Sequence, residues 1–164
     1  MDVPRMQRYF TEMNSPVGQL TLVAEDDVLL AVLWEHEYRH LFKNQQLNRD
    51  DQHPVFIQTQ QQLNEYFAGT RQSFELKLKF YGTEFQQKVW QCLLEIPFAE
   101  RCSYADIARK IGNEKAVRAV GAAVGKNPIS IIAPCHRVVG SNGKLTGFAG
   151  GLENKKFLLD LEQS

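Results

Sequence analysis

The stretch Ser73-Phe74-Glu75-Leu76-Lys77-Leu78-Lys79-Phe80-Tyr81-Gly82-Thr83-Glu84-Phe85-Gln86-Gln87-Lys88-Val89-Trp90 changes period midway, and that change divides the chain. Through Phe80 every second residue is apolar: Phe74, Leu76, Leu78 and Phe80 share one face, and Glu75, Lys77 and Lys79 the other, as in a half-buried strand that could close a sheet. Beyond Thr83, whose hydroxyl suits a helix N-cap, Phe85, Val89, Trp90, Leu93 and Leu94 form one helical stripe that Pro97 ends, so a helix over 84–96 is expected. Tyr81-Gly82-Thr83 is read as the boundary between two domains, residues 1–82 and residues 83–164.

Toward the N-terminus the strand texture continues. Gln7–Met13, a turn through Asn14-Ser15-Pro16-Val17-Gly18, the alternating Gln19–Glu25, an acidic turn at Asp26-Asp27 and Val28–Trp34 read as a meander. A polar connection from Glu35 to Gln52 follows, and Pro54–Phe67 then repeats Phe56, Leu63 and Phe67 at helical spacing before stopping at Gly69. Toward the C-terminus, Ser103-Tyr104-Ala105-Asp106 forms a capping box with Asp in the place of Glu. It opens a short helix that buries Ile107, Ala108 and Ile111 and stops at Gly112-Asn113. A second helix is expected over Glu114–Val124, with Val117, Val120 and Val124 on its buried side and Ala116, Ala119, Gly121, Ala122 and Ala123 filling most of the rest. Such a helix–turn–helix pair serves packing more often than DNA binding. Here, however, Arg118 stands among very small side chains, so the backbone could approach a groove with one long cation reaching inward.

With 164 residues, 43% hydrophobic and 23% charged, the chain has the composition of an ordinary globular protein, which excludes a large multidomain machine or a disordered chain. No apolar run approaches bilayer length, and Met1–Met6 leads into polar residues rather than a signal sequence, so a cytoplasmic protein without membrane contact is expected. The net charge of zero hides a split: residues 1–82 hold 8 Lys and Arg against 11 Asp and Glu, and residues 83–164 hold 11 against 8. Within 100–126, Arg101, Arg109, Lys110, Lys115, Arg118 and Lys126 face only three acids, which allows a local basic patch. Cys92, Cys102 and Cys135 cannot all pair and contain no C-x-x-C. His36, His40 and His53 lack cysteine partners at metal spacing, so no metal site is expected.

Chemistry concentrates at Pro134-Cys135-His136-Arg137-Val138-Val139-Gly140, reached through Ile129-Ser130-Ile131-Ile132-Ala133, a short β-leaning run. The thiolate is the reactive form of cysteine, and an imidazole can take its proton, which makes Cys135 and His136 a candidate nucleophile and base. A buried structural cysteine beside an exposed histidine is the alternative for an isolated Cys-His pair. Cys92 and Cys102 read as structural.

These seven residues, with Arg118-Ala119-Val120-Gly121 and Lys126-Asn127-Pro128 before them and Gly150-Gly151-Leu152 after, resemble the O6-alkylguanine-DNA alkyltransferases. The likeness is densest from Gly82 to Glu162, and Ser15-Pro16-Val17-Gly18-Gln19-Leu20 and Trp34 support it upstream. The resemblance implies an α/β N-terminal domain with a ribonuclease-H-like sheet and a mainly helical, winged-helix-like C-terminal domain. It also implies self-consuming transfer of a methyl or alkyl group from O6 of guanine, and O4 of thymine, in double-stranded DNA onto Cys135, by a monomer with no cofactor. His136 would remove the thiol proton through a water and Glu162 would orient the imidazole. Arg118 would replace the extruded base in the stack, with Ala119 and Ala116 against DNA. Tyr104 would rotate the nucleotide and donate toward the base, and Asn127 would serve as a structural hinge. Val138, Phe148 and Ala149 would line the pocket. Where some relatives carry Tyr-Ser before the double glycine, this chain has Phe148-Ala149 and lacks both hydroxyls. A thiol hydrolase, or a DNA binder without transfer, are the rival readings of the same residues.

Overall fold

In the computed structural model, which describes residues 7–37, 42 and 45–164, the alternating N-terminal runs pair into a sheet. Strands β1 (Arg8–Met13), β2 (Leu20–Glu25) and β3 (Val28–Trp34) form the expected antiparallel meander, with Phe10 opposite Val23 and Leu22 opposite Val32. The first turn closes by reciprocal bonds between Ser15 and Gly18, whose φ of 99° suits glycine, and the second passes through Asp26 at φ 50°. A two-residue strand, β4 (Asn48–Arg49), adds in parallel beside β1, giving the order β3-β2-β1-β4. It lies inside what the sequence reads as polar connection, and its exposed Asn and Arg give no periodic signal. Ser73–Phe80 keeps the expected alternation, with Glu75, Lys77 and Lys79 exposed, yet it touches the sheet through a single bridge between Leu78 and Leu29 and forms no ladder. Helix α1 (Pro54–Phe67) buries Phe56, Leu63 and Tyr66, each worth about 2 kcal/mol on removal from water. His53 caps it, its Nδ1 accepting from the Val55 amide at 3.1 Å. His36 is exposed, and His40 lies outside the described residues.

The chain divides into two compact units, Met1–Lys79 and Phe80–Ser164. The second is mainly helical: α2 (Glu84–Leu94), α3 (Tyr104–Lys110), α4 (Val117–Gly125) and α5 (Leu152–Gln163), with a parallel two-strand pair, β5 (Cys102–Ser103) and β6 (Val138–Val139). Both expected caps form as reciprocal boxes, Thr83 with Gln86 and Ser103 with Asp106. Helix α2 ends two residues early, its Glu95 amide already bonding back to the Cys92 carbonyl. Helix α4 starts three residues later than expected. The Ala116 amide closes a turn on the Asn113 carbonyl, and Ala116 then offers its own carbonyl to Val120 as the first helical acceptor. Trp90 joins α2 to α4 by donating its indole N–H to the Ala123 carbonyl at 2.8 Å. No helix among the described residues is long and apolar enough to cross a membrane.

Gly82 tests this packing. A β-carbon there would lie 2.6 Å from Trp90 Cζ3 and 2.8 Å from Gln86 Oε1. Neither neighbour is free to retreat, since the indole is tied to Ala123 and Gln86 Oε1 accepts from the Thr83 amide. Gly82→Ala is expected to destabilise the helical unit by about 1–3 kcal/mol. An unchanged urea midpoint would contradict it.

Candidate active site

Ile129–Ala133 is not a strand. It coils into successive tight turns: the Ala133 amide bonds the Ile129 carbonyl at 2.9 Å and the Ile132 amide bonds the Ser130 carbonyl at 2.8 Å. Ile131 is held at φ 73°, a left-handed conformation that costs a β-branched residue about 1–3 kcal/mol. The buried amide of Asn127 fixes the coil, with Nδ2 donating to the Ala133 carbonyl at 2.9 Å and Oδ1 accepting from the Ile129 amide at 3.0 Å. One side chain thus spans the whole turn and delivers Pro134 and Cys135 from the end of α4. Cys135, His136 and Arg137 form a single 3-10 turn, all three buried.

Of the expected Cys135, His136 and Glu162, the last two meet in one buried arrangement with Glu162 as its hub, and Cys135 precedes His136 in the same buried turn. His136 Nε2 lies 2.7 Å from Glu162 Oε2, and neither side chain is exposed. Arg137 grips the same carboxylate with both arms of its guanidinium, Nε to Oε1 and Nη2 to Oε2, each at 2.9 Å, and its Nη1 donates to the Ile96 carbonyl at 2.6 Å. The Ala99 amide also donates to Oε1, at 3.2 Å. The carboxylate is acceptor-only, so His136 Nε2 carries the ring hydrogen and Nδ1 has the free lone pair. Nδ1 is buried and finds no protein partner. Burial is the largest influence on His136 and pushes it below the ordinary imidazole range. Glu162 pulls the other way, while Arg137 and Lys155 add to the depression.

Arg137 and Lys155 were not singled out by the sequence. Lys155 is fully buried, with Nζ donating to the Val138 carbonyl at 2.6 Å and reaching the Thr146 carbonyl at 3.4 Å, over the Phe148 ring. Burial lowers its pKa, and Cys135 lies near enough to act against that shift. A signal exists in the sequence: Lys155, Leu158, Leu159 and Glu162 fall at helical spacing and form the buried side of α5, whereas the larger apolar Phe157 is exposed. Val138 and Phe148, expected in the pocket, therefore share Lys155 as a neighbour. Ala149 is half-buried in the segment between the Gly143 turn and Gly151, which opens α5. Tyr104, the first residue of α3, meets that segment through its hydroxyl, 2.8 Å from Thr146 Oγ1.

Around α4 the exposed face holds Val117, Arg118, Ala119, Ala122 and Gly125, while Val120, Ala123 and Val124 are buried. Arg109 and Lys110 pair with Asp106 and Glu95. Lys115, Arg118 and Lys126 are exposed, and no ion pair among the described residues engages them, so positive charge collects along this helix of small side chains. Ala116 is its N-cap and offers no side-chain bond. The other two thiols have a different setting. Burial and neighbouring carboxylates raise the pKa of Cys92 and push Cys102 up to about 11, which keeps both as unreactive thiols. They line a cavity of about 210 Å³ with Pro97 and Lys110, and Cys135 is not part of its wall.

Comparison with known proteins bears on both units. Residues 84–164 match the 6-O-methylguanine DNA methyltransferase DNA binding domain, and residues 8–80 match the ribonuclease-like domain of the same family. The chain is 45% identical over 156 residues to a methylated-DNA–protein-cysteine methyltransferase of Methanosarcina acetivorans, covering 95% of this chain and 99% of that one. It is likewise 45% identical over 157 residues to the constitutive methylated-DNA–protein-cysteine methyltransferase of Bacillus subtilis, with 94% and 95% covered. Among solved structures it resembles Mycobacterium tuberculosis OGT in complex with DNA, with a TM-score of 0.86 at 43% identity over 94% of this chain and 92% of that one.

The buried imidazole has a consequence for stability. His136 titrates below its ordinary value of 6.5 in the folded chain, so below about pH 6.5 the unfolded chain binds a proton that the folded chain refuses. Stability should be level in this respect above that pH and fall beneath it, by up to about 1.4 kcal/mol per pH unit for one proton. Urea unfolding at a series of pH values checks this. The slope below pH 6.5 should shrink in His136→Asn, and an equal slope in both proteins would contradict the assignment.

Proposed function

The chain belongs to the 6-O-methylguanine DNA methyltransferase family, and we propose that it repairs DNA directly, taking the alkyl group from O6 of a damaged guanine onto Cys135. The observation that carries this reading is the buried Glu162–His136 pair, whose histidine directly follows the buried Cys135 in one 3-10 turn. In the proposed reaction His136 Nδ1 takes the Cys135 proton through a water, and Glu162 stabilises the imidazolium on the other side of the ring. The thiolate attacks the alkyl carbon: the S–C bond forms, the C–O6 bond breaks, and the electron pair leaves with guanine. Tyr104 donates its hydroxyl hydrogen toward that leaving base as charge develops. Val138, Phe148 and the backbone amide of Ala149 line the pocket, and Lys155, whose Nζ holds the Val138 carbonyl, braces its wall. The product is a thioether with no proton to recover, so each molecule acts once. O4-alkylthymine presents the same alkyl–oxygen bond and is taken as a second substrate.

The target atom is unreachable inside a duplex and must be turned out of the stack, at a cost of about a few kcal/mol. Helix α4, as the second member of a helix–turn–helix in a winged-helix-like domain, would lie in a groove with Ala116 and Ala119 against the backbone, and Arg118 would fill the gap left by the base. Lys115 and Lys126 add phosphate attraction. Asn127, buried and bonded at both ends of the turn, acts as the hinge between this helix and the nucleophile. The sheet-bearing domain, through residue 82, is taken as ribonuclease-H-like, and the working form as a monomer that reads alkylated duplex DNA. A thiol hydrolase remains the second reading only in that Cys, His and Glu could also serve acyl transfer. Arg118 and the cationic face of α4 have no task in that reaction.

Mixing the protein with duplex DNA bearing O6-methylguanine should add one methyl group to its intact mass, mapping to the peptide of Cys135, and Cys135→Ser should show no gain. A hydrolase or a pure binder would leave the mass unchanged, and a methyl on Cys92 or Cys102 would contradict the assignment. Arg118→Ala is expected to slow transfer from duplex DNA by about tenfold or more while leaving reaction with the free alkylated base near the wild-type rate.

A further inference from the structure

Thr146 holds a place that neither the mechanism nor the pocket described so far accounts for. Three of its groups are fixed by different elements. Its hydroxyl lies 2.8 Å from the Tyr104 hydroxyl on α3. Its carbonyl faces the buried Lys155 Nζ on α5, at 3.4 Å. Its methyl lies 3.4 Å from where a β-carbon on Gly140 would stand, against the backbone that follows the Cys135 turn. Each neighbour is itself immobilised. Tyr104 opens a capped helix with its ring beside Gly121 of α4, and Lys155 is fully buried and bonded to Val138. Sequence adds a second consideration: the rest of the segment from Gly147 to Gly151 carries no hydroxyl, so Thr146 is its one side-chain source of a hydrogen bond.

We propose that Thr146 is a positioning residue that sets the Tyr104 hydroxyl for the leaving base. The inference rests on the reading of Tyr104 given above. A phenol has one hydrogen to give and lone pairs to receive. If Tyr104 is to donate to guanine, its oxygen must accept the bond from Thr146, so Oγ1–H of Thr146 points at Tyr104 Oη. That bond fixes the rotation of the phenolic hydrogen away from Thr146 and toward the pocket. It also polarises the O–H, since a hydroxyl that accepts a hydrogen bond donates a stronger one. The advantage grows as negative charge develops on the base, so it acts on transfer rather than on DNA binding. Thr146 also ties the pocket lip to the helix that precedes α4, so the donor stays aimed whether the lip follows α3 or α5.

A double-mutant cycle tests it, reading single-turnover transfer from O6-methylguanine duplex DNA by intact mass, with DNA affinity and urea midpoint measured alongside. Thr146→Val keeps the shape and loses the hydroxyl. It should slow transfer about tenfold, as for loss of one hydrogen bond in the transition state, with DNA affinity unchanged. Thr146→Ser should restore the rate to within about threefold of wild type. Because Thr146 acts through the phenol, Thr146→Val should cause no further slowing once Tyr104→Phe is present. Equal slowing in both backgrounds would mean a merely structural lip and would overturn the inference, as would a wild-type rate for Thr146→Val beside a slow Tyr104→Phe. A wild-type rate for Tyr104→Phe itself would instead sink the reading of Tyr104 and the inference with it.

Discussion

A carboxylate with no exposure to water survives only if its charge is matched, and the Glu162 carboxylate is matched by a two-armed guanidinium, an imidazole N–H and a backbone amide. Those donors come from separate stretches: Arg137 and His136 from the 3-10 turn, and Ala99 from the loop after α2. Glu162 thereby pins the last helix, the loop and the nucleophile's turn together. A buried ion pair of this kind adds little net stability over an apolar contact, yet removing one partner costs about 3–5 kcal/mol because the other charge is stranded. Its value lies in fixing a single arrangement, and what it fixes is the residue next to Cys135.

Charge balance follows from that arrangement. Glu162 and Arg137 cancel, so a proton on His136 would leave a net positive charge in a site that already holds Lys155, and burial makes such a charge expensive. The imidazole is therefore kept neutral and directed, its hydrogen given to Glu162 and its other nitrogen left with a free lone pair. In the proposed transfer, a thiol proton arriving at that nitrogen would find Glu162 already in contact with the ring. Cys92 and Cys102 meet carboxylates and burial without a base and stay protonated, which gives a physical reason for selectivity among three thiols in one small unit.

Much of this was legible in the residues. Period-two and period-3.6 patterns located β1 to β3 and α1 and approximated α2, and side-chain caps located the start of α3. All of these are local signals. What was not legible depended on partners distant in sequence. Asn48-Arg49 becomes a strand only because β1 offers an edge, and Ser73–Phe80 fails to become one although its pattern is perfect, because a single bridge is all that the sheet supplies. Ile129–Ala133 is apolar and β-branched, but the Asn127 side chain closes it into a coil, a tertiary choice that outweighs propensity. Within the site, Cys135, His136 and Glu162 could be named through resemblance. Long cations lie by default on the surface, so nothing local marks Arg137 as buried, and Lys155 is marked only by sharing a helical face with Leu158, Leu159 and Glu162.

The tautomer and charge of one ring carry the account, and nitrogen-15 NMR of the histidine side chains reads both directly. At neutral pH His136 should be uncharged, with its hydrogen on Nε2 and a bare Nδ1, and Glu162→Gln should disturb this state. A ring protonated on both nitrogens, or a hydrogen found on Nδ1, would contradict the claim that Glu162 prepares His136 to take the proton of Cys135.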